Sequence, residues 1–137
     1  MRPEDLETQP APIADDQTLD PLTITQSGAM VFNRLRVAQL QGPTEVLARN
    51  AFSEVVVETL HLGQNSGPFD AHHPYAEQSF VVLEGVGSLV LEDGEIELHA
   101  GDVGVVHAGT KRQFVGKGEG IFRVLHVYSP TTQSVEF

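Results

Sequence analysis

The segment 67–85, GPFDAHHPYAEQSFVVLEG, brings together side chains that bind metals or transfer protons. Two adjacent histidines, His72 and His73, stand shortly before a Glu77-Gln78 pair. Imidazole is a common metal ligand, and its pKa near neutrality suits acid/base chemistry. The carboxamide of Gln78 is a weaker ligand than a carboxylate because it brings no charge. On a regular strand, neighbouring side chains face opposite ways, so each pair offers one member to a common site.

The elements that must position these residues are short strands. From Met30 onward, apolar β-favouring stretches alternate with turns that contain many of the 13 glycines. No stretch has sustained helical periodicity with caps. The pattern predicts an all-β sandwich or barrel. The predicted strand segments are VFNRLRVAQL, NAFSEVVVETLHL, QSFVVLEG, the hairpin GSLVLEDGEIELHAGD closed by Asp93-Gly94, GDVGVVHAG, RQFVG and GIFRVLHVYSP.

The N-terminal region differs from the rest in composition. Residues 1–27 carry four of the eight prolines, several acidic residues and few that could pack. Such a segment does not bury enough apolar surface to offset its ordering entropy. We therefore predict a flexible N-terminal arm over residues 1–27 and a single β-barrel domain over residues 28–137.

Composition excludes several classes of partner. There are 19 acidic and 8 basic residues, and the net charge is −11, so the protein repels phosphate backbones and anionic membranes. No apolar run approaches the roughly 20 residues that span a bilayer. The start of the chain, MRPEDLETQP, lacks the order of a secretion signal. These features predict a cytoplasmic protein that binds neither nucleic acid nor membrane, and the absence of cysteine rules out thiolate chemistry.

The stretch HHPYAEQSFVVLEGVGSLVLEDGEIELHAGDVGVVHAGTKRQFVG resembles the cupin family, and the similarity extends more loosely over residues 54–130. The strongest matches are FVVLEGVGSLVL and AGDVGVVHAGT. The resemblance implies a double-stranded β-helix, which is a small jelly-roll barrel whose mouth holds the site. It also implies a homodimer, because members are often dimeric.

The resemblance implies a metal site that has lost most of its usual ligands. The usual cupin ligands are two histidines separated by one residue, then a glutamate, then a third histidine after a Pro-x-Gly turn. Counting back from the glycine of LEG places Gln78 at the glutamate position, His73 at the second histidine and Ala71 at the first. The third histidine falls on Arg112, and the turn proline is His107. One of the four usual ligands is therefore retained.

Other strands offer further groups for the same site. An inward Arg112 cannot bind a metal, but its guanidinium fork fits a carboxylate or phosphate. His126 alternates with Tyr128 along IFRVLHVY, on a face that looks into the cavity in cupins. His73, His107 and His126 would then converge, with Gln78 as a fourth ligand. Such a set would suit a divalent transition metal (Zn, Fe, Ni, Mn or Cu).

Three functions fit these residues. The favoured one is an isomerase, cyclase or lyase that binds a small anionic or carbonyl-containing metabolite in the barrel mouth. His73 and His126 would be its acid/base groups, and its substrate contacts would be Gln78, Arg112, Tyr128 and Phe80. The alternatives are a metal-dependent dioxygenase or isomerase with a relocated site, and a non-catalytic binding protein. A fixed cation at Arg112 favours the first, because it would repel a metal in the customary place. His72 and Glu77 are expected to face outward.

Overall fold

The computed structural model describes residues 25–26 and 28–130 of the chain. These residues form strands and turns, with a single 3-10 helix at Val37–Gln39 in the described part. The strands are β1 Thr25–Gln26, β2 Val31–Phe32, β3 Thr44–Arg49, β4 Glu54–Leu60, β5 Glu77–Glu84, β6 Val86–Leu91, β7 Gly94–His99, β8 Val103–Val106, β9 Gln113–Gly116 and β10 Phe122–Ser129.

All pairings between these strands are antiparallel, and the two larger sheets form the double-stranded β-helix. The larger sheet has the order β3-β4-β10-β5-β8, and the smaller one the order β7-β6-β9. A separate two-stranded sheet joins β1 to β2. The all-β prediction is confirmed. The order matters for the site because β10 lies between β4 and β5, so that side chains from three strands share one inner face.

Strand β5 shows why the barrel has a defined interior. Gln78, Phe80 and Val82 are buried, whereas Glu77 and Ser79 are exposed, which is the alternation of a strand with one face on a core. The even-numbered side chains from 78 to 82 therefore face the interior of the barrel. The apolar core consists of Leu60, Phe80, Val82, Leu89, Leu98, Val106, Phe114, Phe122 and Val124.

Two glycines allow the sheets to close on this core. A Cβ at Gly87 would overlap the ring of Phe122, and one at Gly104 would lie 2.8 Å from the ring of Phe80. Both aromatic rings therefore pack directly against backbone, and a larger residue at either glycine would displace them.

The structure differs from the sequence prediction in two local features. The stretch VFNRLRVAQL holds only the two residues of β2 and the 3-10 helix, because its polar side chains interrupt a continuous apolar face. The β6–β7 hairpin closes through Glu92-Asp93, and Gly94 is already the first residue of β7, paired with Leu91. The predicted arm lies outside the described residues apart from Thr25 and Gln26. No helix in the described part is long and apolar enough to cross a membrane.

Candidate functional site

A polar cavity of about 140 Å³ opens on the inner face of the larger sheet. An engineered cavity of about 150 Å³ in another protein holds benzene, so this one has room for about six non-hydrogen atoms. Its walls combine strands β3, β4, β5, β9 and β10 with the loop 61–76. The lining residues are Thr44, Val56, Glu58, Ser66, His72, His73, Gln78, Arg112, Phe114, His126 and Tyr128.

Three of these side chains form a hydrogen-bonded chain across the sheet. His126 on β10 pairs in register with Val56 on β4 and with Phe80 on β5. Glu58 and Gln78 each lie two residues from those partners, so both are diagonal neighbours of His126 on the same face, within reach of long side chains. His126 Nε2 lies 2.9 Å from Glu58 Oε1, and His126 Nδ1 lies 2.8 Å from Gln78 Nε2.

Both ring nitrogens of His126 are therefore engaged by protein groups. The amide nitrogen of Gln78 can only donate, so Nδ1 accepts and the proton lies on Nε2, which donates to Glu58. His126 is 2% exposed, and the edge of the Phe114 ring packs against it at a centroid distance of 4.9 Å. The predicted catalytic role of His126 would have to break one of these bonds, whereas a positioning role uses both.

The loop 61–76 places two further histidines at the cavity. Isolated backbone bridges join it to β9, between Asn65 and Val115, and to the residue before β9, between Asp70 and Arg112. His73 has φ of 55°, a left-handed conformation that interrupts strand alternation. His72 and His73 consequently both line the cavity. His72 presents its backbone carbonyl to Arg112, whereas its ring turns to Pro68. The His72 ring nitrogen Nε2 donates to the carbonyl of Pro68 at 2.6 Å.

The environment of His73 favours the neutral imidazole. Burial lowers the pKa of His73 below 6.5, and the nearby His72 and Arg112 act in the same direction, while Glu54 opposes them. Its ring meets the edge of the Tyr128 ring at a centroid distance of 5.1 Å. A neutral imidazole on a polar cavity is able to accept a proton at pH 7.

Arg112 is the cation of the site. It is 2% exposed, and its Nη1 donates to the carbonyl of His72 at 2.8 Å. Its Nε and Nη2 are buried and have no hydrogen-bond partner within the described part of the chain. Burial lowers the pKa of Arg112, and interaction with Tyr128 partly offsets this. Two unpaired donors on a buried guanidinium are costly, and an anionic ligand that reached them through a shift of the Arg112 side chain would satisfy them.

Tyr128 closes the cavity between the histidines. Its ring stacks near that of His126 at a centroid distance of 6.1 Å. Burial raises the pKa of Tyr128 above its usual value of 10, and the charges of Glu58 and Glu54 add to the effect. Tyr128 is therefore a phenol at neutral pH and can donate a hydrogen bond.

Two predicted site residues lie elsewhere. The side chain of His107 is 81% exposed, and its Nδ1 lies 3.6 Å from the outward-facing Glu77. The predicted convergence of His73, His107 and His126 is wrong, because His107 follows β8 at the exposed edge of the larger sheet. Phe80, predicted to contact substrate, instead packs edge-on against Phe114 at 5.3 Å in the core. Its ring fills the space behind the cavity rather than lining it.

Sequence reasoning missed Glu58 and Glu54. Both are buried on the inner face of β4, at the same parity as Val56 and Leu60. Glu54 Oε2 lies 3.5 Å from Arg49 Nε. The signal was present, since two acidic residues occupy alternate inward positions of a Val-rich strand. A buried carboxylate needs a partner, and for Glu58 that partner is His126.

Comparison with known proteins agrees with this geometry. A sequence profile of the Cupin domain family matches residues 56–128, more than half of the chain. The chain belongs to the cupin family. A search among curated proteins finds no significant match.

Several solved cupins share the fold. A Cupin 2 conserved barrel domain protein from Salinispora arenicola is 24% identical, with 74% of this chain and 89% of that one covered and a TM-score of 0.60. An RmlC-like cupin from Desulfovibrio desulfuricans is 27% identical, with coverage of 64% and 80% and a TM-score of 0.56. A cupin-superfamily sugar phosphate isomerase from Silicibacter pomeroyi is 25% identical, with coverage of 65% and 60% and a TM-score of 0.56.

The cavity of this cupin does not fit a metal in the customary place. Of the residues at the usual ligand positions, only His73 is an imidazole. Gln78 is neutral and already bonded to His126, and Arg112 brings a buried positive charge to the same cavity. Within the described residues, no three His, Cys, Asp or Glu side chains are grouped so that they could hold a metal ion. The donor set is instead suited to an anion.

Proposed function

We propose that this cupin binds a small carboxylate metabolite in its cavity and catalyses a proton transfer next to a carbonyl group, as an isomerase, cyclase or lyase does. The observation that carries the proposal is Arg112. A buried guanidinium with two unpaired donors lines a polar cavity that also contains a neutral imidazole. The similar sugar phosphate isomerase from S. pomeroyi is consistent with this reaction class.

The size of the cavity selects the ligand. Room for about six non-hydrogen atoms matches a three-carbon carboxylate such as pyruvate or lactate. A phosphorylated hexose is much larger, so only one end of it would enter. The fork formed by Nε and Nη2 of Arg112 matches the two oxygens of a carboxylate, which gives both affinity and orientation.

The remaining lining groups supply the chemistry. His73 takes the proton from the carbon beside the carbonyl, and the electrons of that C–H bond move onto the carbonyl oxygen. The phenol of Tyr128 and the amide of Gln78 donate hydrogen bonds to this developing oxyanion. In a 2-hydroxy carbonyl compound, the protonated His73 then returns the proton to the former carbonyl carbon while the proton of the neighbouring hydroxyl moves to the oxyanion, which completes an isomerisation without any other reactant. Glu54 offsets part of the charge on protonated His73.

The test combines binding and proton exchange. The full chain is titrated at pH 7.5 with acetate, L-lactate, pyruvate and inorganic phosphate, and the Arg112 Nε–H resonance is followed by ¹H–¹⁵N NMR. Pyruvate is then incubated in D₂O, and deuterium incorporation at its methyl group is measured. We expect the three carboxylates to shift the Arg112 resonance, and exchange to be catalysed.

Two variants identify the base. His73→Gln is expected to lose about 100-fold or more of the catalysed exchange, which is the typical contribution of a positioned base. His107→Gln removes an exposed imidazole outside the cavity and should leave exchange unchanged. Failure of all four anions to bind would refute the proposal. Binding without catalysed exchange would replace the enzyme with a non-catalytic binding protein.

A further inference from the structure

We propose that Glu58 is a positioning residue that, through His126, fixes the orientation in which Gln78 presents its amide to the cavity. Glu58 lines the deep wall of the cavity, and its carboxylate meets His126 Nε2 at 2.9 Å. Gln78 meets the opposite ring nitrogen at 2.8 Å. Gln78 and His126 are both at least 95% buried, so water does not compete for these contacts.

The hydrogen bonds that link Gln78, His126 and Glu58 all run in one direction, with Gln78 donating to His126 and His126 donating to Glu58. A carboxylate only accepts hydrogen bonds, so His126 must place its proton on Nε2. The amide nitrogen of Gln78 faces Nδ1 at 2.8 Å and can only donate, so Nδ1 carries a lone pair, which in turn repels the carbonyl oxygen of Gln78. The carbonyl oxygen of Gln78 is consequently turned away from His126.

The fixed orientation of the Gln78 amide determines which ligands the cavity favours. An isolated glutamine amide can rotate by 180° and exchange its donor and acceptor at little cost, so it discriminates poorly between polar groups. Held by His126, Gln78 presents one arrangement of donor and acceptor to the ligand. This favours a carboxylate that carries a second polar group, such as a 2-hydroxy or 2-oxo acid, over a plain alkyl carboxylate. The ligand class therefore rests on the proposed function, whereas the order of donors does not.

The first measurement needs no ligand. Long-range ¹H–¹⁵N spectra of the imidazoles at pH 7.5 report which nitrogen of each histidine carries the proton, and a His126→Asn variant identifies the relevant signals. We expect His126 in the wild type to be a single neutral tautomer protonated at Nε2. A doubly protonated ring, or one protonated only at Nδ1, would overturn the proposal, even if no variant at Glu58 folds.

The second measurement uses Glu58→Gln, which keeps the size of the side chain and allows it either to donate or to accept. We expect His126 in this variant to be a mixture of tautomers. The affinity for L-lactate relative to propionate should fall about three- to tenfold, which is the worth of one neutral hydrogen bond. The affinity for propionate itself should change little, because that ligand uses Arg112 alone.

Glu45→Gln is the matched control. Glu45 is also a buried glutamate, but it pairs with Val57 and so lies on the other face of the sheet, where its Oε2 accepts from the backbone of Gly42 at 2.7 Å. It should alter neither the tautomer of His126 nor the selectivity. Unchanged tautomer and selectivity in Glu58→Gln would refute the positioning role. Failure of wild type to bind either carboxylate would count against the proposed function instead, and the wild-type spectrum would still decide the order of donors.

Discussion

Replacement of Arg112 by methionine should weaken ligand binding while leaving the fold intact. Two charge-assisted hydrogen bonds to a carboxylate are worth about 1.5–3 kcal/mol each. We take about 2–4 kcal/mol for the pair, because part of this is spent in ordering the ligand. At about 1.4 kcal/mol for each factor of ten, the dissociation constant of L-lactate should rise about 30- to 700-fold.

Stability should move in the other direction. Two buried guanidinium nitrogens lack partners within the described chain, and each unsatisfied buried donor costs about 1–3 kcal/mol. Against this gain, Arg112→Met loses the hydrogen bond from Nη1 to the carbonyl of His72, worth about 1.5–3 kcal/mol. The free energy of unfolding should therefore lie between about 1 kcal/mol below and about 4.5 kcal/mol above that of wild type.

The assay pairs an NMR titration with urea denaturation of the same samples. Lys111→Met is the matched control, since it removes an equal charge from the adjacent residue. The Lys111 side chain is exposed, and its Nζ is 3.9 Å from Glu92, outside the cavity. It should leave affinity and stability unchanged, because exposed pairs contribute little. Wild-type affinity in Arg112→Met, or a loss of more than about 1 kcal/mol of stability, would refute the reasoning.

Three further predictions concern pH, metal and packing. Because burial lowers the pKa of His73 below 6.5, the unfolded chain binds more protons than the folded one just below pH 6.5, and this part of the stability is lost as the pH falls. Wild type should therefore lose stability relative to His73→Gln between pH 7.5 and 5.5 in urea titrations. The double variant Gln78→Glu, Arg112→His should bind stoichiometric Zn²⁺ by elemental analysis, whereas wild type should not. Gly87→Ala should lower the free energy of unfolding by about 1–3 kcal/mol, because its Cβ would overlap the ring of Phe122.

Each of these has a result that contradicts it. A constant difference between wild type and His73→Gln across that pH range would mean that His73 titrates alike in the folded and unfolded chains. Tight zinc in wild type, or none in the double variant, would mean that the cavity does not occupy the usual cupin metal position. Gly120→Ala is the packing control, since a Cβ there meets nothing within 4 Å. Equal destabilisation by the two glycine variants would exclude the ring contact as the cause.

The barrel could be predicted from the sequence because its signals are local. Alternation in QSFVVLEG fixes which side of β5 is buried, and the turn signal near Asp93 places the β6–β7 hairpin to within one residue. The inward orientation of Gln78 follows from the same alternation. These features depend on a few neighbouring residues, which is why periodicity and turn chemistry capture them.

The site could be predicted only in part because its contacts are distant in sequence. Glu58 and His126 are 68 residues apart, and nothing near Glu58 indicates an imidazole opposite it. The left-handed backbone at His73 is not encoded by a glycine, so alternation could not predict that His72 and His73 both border the cavity. The end of the VGVV strand was expected to bring His107 to the barrel mouth, but β8 is the edge strand of the larger sheet, and His107 lies exposed beyond it.

The most direct test of the anion site is a crystal structure of the full chain grown with L-lactate at saturating concentration. We expect the carboxylate oxygens within about 3 Å of Nε and Nη2 of Arg112, with the lactate hydroxyl on Gln78 and His73 beside the second carbon. A metal ion held by His73 and Gln78, with Arg112 turned away from the cavity, would contradict it.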